Sequence, residues 1–207
     1  MYTKQYSKLK VIEEASPEHK LFLQWLYLAR EKLNTVLEIG VATGASTKFW
    51  VPWLPQDGMY VGIDINLHNE SQGLFGKVKE VIDFYKDDKR MNFILGDSQD
   101  PSVVESAEKF LNGRKVDLLF IDGEHSYERA TSDFLLYEKF LASNTVIVWH
   151  DATRNTNVRN AIEDIILPWG DRGKYGSEYD LAMSRFKVCC EFNHAVGHCG
   201  IKVLVKK

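Results

Sequence analysis

The chain has 207 residues, 44% hydrophobic and 27% charged, enough for a substantial core in one ordinary globular domain. A formal net charge of −3 supplies no basic stripe for a polyanion, so small molecules rather than nucleic acid are the expected partners. The longest apolar runs are strand-length, which excludes a membrane-spanning helix, and the first ten residues lack the apolar centre of a secretory signal, from which a cytoplasmic protein is expected.

In chain order, Ser16-Pro17-Glu18 has the cap, first-turn proline and early acid of a helix start, and Leu21, Trp25, Leu26, Ala29 and Leu33 recur at helical spacing. This predicts a helix covering one face of a sheet. The run Val36-Leu-Glu-Ile-Gly-Val-Ala-Thr-Gly-Ala-Ser46 then reads as a buried strand, a tight loop and a helix start. Gly40 and Gly44 permit sharp turning and close approach of a ligand, while Ser46 and Thr47 suit a helix cap. A nucleotide-like ligand is the first suggestion.

Strands are expected at Thr35–Ile39, Met59–Ile63, Asn92–Leu95, Val116–Ile121 and Thr145–Trp149. Helices are expected between and after them, at Ser46–Trp53, Leu74–Tyr85, Pro101–Leu111, Tyr127–Phe140 and Val158–Ile166. Regular alternation of this kind predicts an α/β fold, doubly wound, with a mainly parallel sheet and helices on both faces. Arg185–Phe192 and Gly200–Val205 are β-prone and close together, so an antiparallel hairpin should complete a seven-stranded sheet. The expected organisation is a single domain over 1–207: a helical region to 34, a core over 35–166, and a loop with the closing hairpin over 167–207. The glycine- and aromatic-rich Leu167 to Asp180 segment suits a lid or a long surface loop. Cys189, Cys190 and Cys199, with His194 and His198 between them, lack zinc-type Cys-x-x-Cys spacing, and their odd number argues against a disulfide framework, so free thiols are expected.

In an open α/β sheet the ligand crevice lies beyond the carboxyl ends of the strands. Polar residues follow every strand there: Glu38, then Asp64, then Asp97 with Ser98, then Asp122, then His150 with Asp151. Any one of these acids suits a helix cap, but five in register point to a site. Asp64 follows Gly40 by 24 residues, the place where an acid accepts hydrogen bonds from ribose hydroxyls. The glycine register is Gly-x-x-x-Gly, with Ala42 where a pyrophosphate-binding fingerprint has its middle glycine. A ribose-bearing ligand without a pyrophosphate follows.

The ordered set Leu37-Glu-Ile-Gly-Val-Ala-Thr-Gly-Ala-Ser-Thr47, Gly62-Ile-Asp-Ile65, Gly96-Asp-Ser98, Phe120-Ile-Asp-Gly-Glu-His-Ser-Tyr127 and His150-Asp-Ala152 resembles the class I S-adenosylmethionine-dependent methyltransferases. Within them it looks most like small O-methyltransferases with an Ile-Asp-Gly-x-His-x-Tyr signature, relatives of cephalosporin-hydroxylase-like and macrolide-sugar methyltransferases. The resemblance spans roughly 35–166 and implies a Rossmann-like fold with S-adenosylmethionine as cofactor. It implies that Glu38, Gly40 and Gly44 lie under the methionine part of the cofactor. Asp64 would hold the ribose, Asp97 and Ser98 would meet the adenine edge, and Asp122 would sit beside the reacting methyl. Ala142-Ser-Asn144 departs from the Pro-Gly-Gly turn common before the fifth strand, as Ala42 departs from the common middle glycine.

Two routes to methyl transfer are open. In one, Asp122, His150 and Asp151 ligate a divalent cation such as Mg2+, although imidazole suits softer metals than magnesium. In the other, His125 is a general base, imidazole titrating near neutrality. His125 also suits the capping turn at Ser126, and Asp133 could point back towards the crevice, with a solvated helix face as the expected setting. Tyr127 reads as packing, Arg154, Asn155 and Asn157 as loop or substrate contacts, and Trp169, Arg172 and Tyr175 as an acceptor-pocket lining. Two competing classes are an NAD-type oxidoreductase, which the glycine register disfavours, and a catalytically silent cofactor-binding domain. No motif speaks to the acceptor's identity or to oligomeric state.

Overall fold

A computed structural model describes residues 7–65, 78–166, 186–192 and 200–207. The chain runs α1 (Lys8–Glu14), α2 (Pro17–Ala29), β1 (Thr35–Ile39), α3 (Thr47–Trp50) with a 3-10 turn at Val51–Trp53, β2 (Met59–Asp64) and α4 (Val78–Tyr85). It continues β3 (Met91–Leu95), α5 (Pro101–Leu111), β4 (Val116–Ile121), α6 (Tyr127–Tyr137) with a 3-10 turn at Glu138–Phe140, β5 (Leu141–Trp149), α7 (Thr156–Ile166), β6 (Phe186–Phe192) and β7 (Ile201–Lys206).

All seven strands join one sheet in the order β3-β2-β1-β4-β5-β7-β6. The first five are parallel, and β7 pairs antiparallel with both β5 and β6. The order reverses between β1 and β4, which sit side by side with Ile39 opposite Ile121. That reversal is where an open α/β sheet leaves its crevice.

Strand alternation divides the core. Leu37, Ile39, Leu119, Ile121, Ile147 and Trp149 face the side covered by α5, α6 and α7. Val36, Tyr60, Leu118, Phe120, Val146 and Val148 face Phe22, Leu23 and Leu26 of α2 and Phe49, Trp50 and Trp53 of the α3 segment. Near-continuous apolarity in β1, β4 and β5 reflects this two-sided burial.

The structure corrects several local expectations. A short helix, α1, precedes the expected one, and α2 ends at Ala29. Its buried face is Phe22, Leu23 and Leu26, whereas Leu21 is exposed, because α2 docks against the sheet through a stripe one residue later. β5 begins at Leu141, not Thr145: register with β4 jumps from Val116↔Leu141 to Leu118↔Val146, and Asn144 takes φ 66° in the resulting bulge. Thr145 Oγ1 closes that bulge by donating to the carbonyl of Val116 at 2.6 Å. Among the described residues no helix is long and apolar enough to cross a membrane. The 167–180 segment, Trp169, Arg172, Tyr175, His194, His198, Cys199 and the start of the expected Leu74–Tyr85 helix lie outside the described residues. Cys189 and Cys190 are free thiols.

Candidate active site

The parallel ladders run one residue past the strand ends and so align the rim. Gly40 N donates to Ile63 O (2.9 Å), Gly96 N to Asp64 O (2.9 Å), Asp122 N to Ile39 O (2.8 Å) and His150 N to Ile121 O (3.0 Å). Residues scattered through the sequence thus stand side by side. Gly40 takes φ +89°, and a Cβ there would fall 2.0 Å from the Asp122 carbonyl oxygen, so neither its conformation nor its space admits another residue.

Asp64 fastens the loop after β1: its Oδ2 accepts from the amides of Val41 (3.0 Å) and Ala42 (2.8 Å), which stabilises the left-handed Ala42 (φ 47°). Gly40, Asp64, Asp97, Ser98, Asp122 and His125 all line one cavity of about 530 Å3, together with Arg129 and Asp133. The volume suits a small cofactor.

Glu38 differs from the expectation. It is fully buried on the α2 and α3 face and lies beneath the crevice, not in its wall. Ser46 Oγ and Tyr60 OH donate short hydrogen bonds to it, joined by Thr47 Oγ1 (3.1 Å) and Trp50 Nε1 (3.2 Å). Burial pushes its carboxyl up to about 7, with the Ser46, Tyr60 and Thr47 hydrogen bonds opposing. Ser46 accordingly caps nothing with its side chain. Glu38 is a strut that fixes the start of α3 to β1 and β2.

At the far end of the cavity Arg129 Nη1 grips both oxygens of Asp97 (2.6 and 2.8 Å), and that hydrogen bond holds the Asp97 carboxyl below its ordinary range. Ser98 Oγ donates to Asp133 at 2.6 Å, and Tyr137 OH donates to the Ser98 carbonyl at 2.8 Å. Asp133 is not on a solvated face: it is 2% exposed, and burial raises its carboxyl. Sequence reasoning passed over Arg129. Its signal was a cation in the first turn of α6, where the helix dipole favours an acid.

Beside Gly40, the ends of β4 and β5 bring four groups together. His150 Nδ1 lies 3.1 Å from Asp122 Oδ1 and 3.1 Å from Asp151 Oδ2. His125 Nε2 lies 3.2 Å from Asp151 Oδ2 and 3.6 Å from Asp122 Oδ1. Asp151 takes φ 56°, a left-handed conformation that an aspartate tolerates and that recurs at functional sites. Burial alone would raise Asp122 and lower His150, but their mutual contacts prevail: Asp122 falls below its ordinary value and His150 is pushed up to about 10. His125 is raised by the adjacent Asp122, with burial opposing and Asp151 adding. From α2, the His19 ring stacks on His150 at 5.1 Å and 20°. Tyr127 OH donates to Asp164 at 2.9 Å, so it ties α6 to α7.

The chemistry of the donor set tests whether a cation fits. Asp122, His125 and Asp151 each offer one atom, all within 4.8 Å of one another, and the buried His125 Nε2 makes no hydrogen bond. Two carboxylate oxygens and one imidazole nitrogen fit a divalent transition ion better than magnesium. The expected ligand His150 is not in this set: its Nδ1 is directed at both carboxylates, which raise its pKa. A second cavity, about 590 Å3, adjoins this cluster and is lined by His125, Asp151, Arg154, Asn155 and Thr156. His125 belongs to both cavities.

A family model described as a methyltransferase domain matches residues 37–152, more than half of the chain. Among solved structures, the chain is similar to the O-methyltransferase from Bacillus cereus in complex with SAH, at 18% identity and TM-score 0.61, over 100% of this chain and 92% of that one. It is also similar to a Staphylococcus aureus protein assigned as a caffeoyl-CoA O-methyltransferase (16%, TM-score 0.57, 91% and 82% covered). A Clostridium thermocellum protein assigned as an rRNA methylase is comparably similar (12%, TM-score 0.60, 93% and 98% covered). At these identities the likeness establishes a shared Rossmann-like fold, one that serves acceptors of different kinds. A sequence search of curated proteins finds no match.

Proposed function

Because the chain belongs to the methyltransferase-domain family, we propose that it transfers the methyl group of S-adenosylmethionine to a hydroxyl of a small molecule or sugar. The observation that carries this reading is the meeting of two cavities at His125, within reach of Asp122 and Asp151. One cavity suits the cofactor and the other an acceptor. In this reading Asp64 accepts from the ribose hydroxyls, Asp97 and Ser98 meet the adenine, and Gly40 lets the methionine portion lie against the backbone.

The cofactor supplies a sulfonium methyl that is already electrophilic, so the protein's task is to position the acceptor oxygen and take its proton. The oxygen attacks the methyl carbon as the carbon–sulfur bond breaks, both electrons of that bond remaining on sulfur. The hydroxyl proton passes to the cluster, for which His125 stands at the cavity junction. Asp122, His125 and Asp151 would hold a divalent cation, which would supply Lewis-acid activation of the acceptor hydroxyl. The same reading places the enzyme in the cytoplasm, with a small-molecule acceptor as its partner and no role for nucleic acid.

Calorimetric titration with S-adenosylhomocysteine tests the cofactor half: binding is expected, and none at millimolar ligand would end the reading. Turnover before and after chelation separates the two routes. Activity lost in chelator and restored by Mn2+ assigns Asp122, His125 and Asp151 as ligands. Activity indifferent to chelation but lost in His125→Ala assigns His125 as the base.

A further inference from the structure

The cavity beyond the catalytic cluster carries information about the acceptor. Of its lining residues, His125 and Asp151 are committed to the cluster. From the left-handed Asp151 the chain passes through the exposed Arg154 and then Asn155 into α7. The Asn155 carboxamide oxygen is occupied in accepting from the amides of Asn157 (2.9 Å) and Val158 (3.3 Å). Arg154 is different. Every other described arginine is held by the protein: Arg30 by the Asn144 carbonyl, Arg90 by Asp88, Arg114 by the Asp57 carbonyl, Arg129 by Asp97 and Arg159 by the Thr153 carbonyl. Among the described residues, Arg154 alone of the arginines has no hydrogen bond or ion pair, and it lines the cavity that His125 opens onto.

Building on the methyl-transfer reading, we propose that the acceptor carries an anionic group, a carboxylate or a phosphate, and that Arg154 binds it. The guanidinium fork matches either group with paired hydrogen bonds. The positive end of α7, which begins at Thr156 in the same wall, favours the same charge. An anionic acceptor would be repelled by Asp122 and Asp151 unless a cation in the same cavity held its charge, and Arg154 is the arginine that lines that cavity. Arg154 therefore selects the acceptor and sets which of its hydroxyls reaches His125.

The test titrates the S-adenosylhomocysteine-loaded protein, by NMR or calorimetry, with glucuronate, glucose 6-phosphate and glucose. Loading is measured first, so failure to load refutes the methyl-transfer reading, whereas loading without a preference for an anion refutes this one. At least one anion is expected to bind ten times more tightly than glucose, and which one binds distinguishes carboxylate from phosphate. Arg154→Gln is expected to weaken that anion about ten- to hundredfold while leaving S-adenosylhomocysteine affinity unchanged, with Arg154→Lys recovering part of the loss. Equal binding of glucose and the anions, no binding of any at millimolar concentration, or an unchanged anion affinity in Arg154→Gln would overturn the proposal.

Discussion

Replacing Glu38 by glutamine should flatten one part of the dependence of stability on pH. Glu38 is fully buried, and its carboxyl in the native state sits near 7 against an ordinary 4.5. Below pH 4.5 both native and unfolded chains carry the proton, and its contribution to stability is fully present. Between 4.5 and about 7 the unfolded chain releases the proton while the native chain keeps it, so stability falls as pH rises. The shift corresponds to about 3 kcal/mol at roughly 1.4 kcal/mol per pH unit. Three other carboxyls, Asp88, Asp97 and Asp122, are lowered and add stability as pH rises, while Asp133 is raised like Glu38. The Glu38 contribution must therefore be read as the difference between wild type and Glu38→Gln, from urea denaturation at half-unit steps from pH 4 to 8. The constant offset of the amide substitution cancels in the slope. Wild type should lose about 3 kcal/mol relative to the variant across this range. A difference that stays level from pH 4 to 8 would mean that Glu38 is ionised throughout, and that its four donors outweigh burial.

Two further substitutions probe the crevice. Gly40→Ala places a methyl 2.0 Å from a backbone oxygen at φ +89°, and the combined clash and left-handed strain should cost about 2–5 kcal/mol in urea denaturation and abolish S-adenosylhomocysteine binding; an unchanged midpoint and affinity would contradict the packing described. Asp64→Ala removes the acceptor for the Val41 and Ala42 amides as well as the proposed ribose contact, and should weaken S-adenosylhomocysteine at least tenfold by calorimetry. Equal affinity would refute the ribose role.

How much of this was legible in the sequence depended on whether periodicity or long-range contact decided the outcome. β1, β4 and α5 coincide with their expected bounds because continuous apolarity or an Asp-Pro start marks them unambiguously. The rim of acids was legible because parallel strands of similar length end together. α1 was missed because seven residues with only Val11 and Ile12 buried carry no repeat. Asp133 was misplaced because its partner Ser98 is 35 residues away, and no local pattern reports that an acid will meet a hydroxyl across the sheet end. Glu38 was assigned to the crevice through the family resemblance, although it lies inside β1 and not past its end. The alternation that puts it on the opposite face from Leu37 and Ile39 was available, but the four donors awaiting it there come from residues 46, 47, 50 and 60.

The place of His125 rather than His150 beside Asp122 and Asp151 in the candidate donor set is bound up with backbone conformation. In an extended strand, consecutive side chains point to opposite faces, so His150 and Asp151 could not both address Asp122. The left-handed φ at Asp151 ends β5 and folds the next side chain back, which brings both residues to the same carboxylate side of the crevice. Two carboxylates forced together by adjacent parallel strands need a counter-charge. His150 supplies it, held above its ordinary pKa and stacked beneath His19. With the charge balanced by a residue that approaches through Nδ1, the other imidazole, His125, stands at the junction of the two cavities with its Nε2 beside Asp151 and Asp122. The helix that begins at Pro17 reaches the same cluster through His19. A segment outside the match to the family model therefore packs against the cluster.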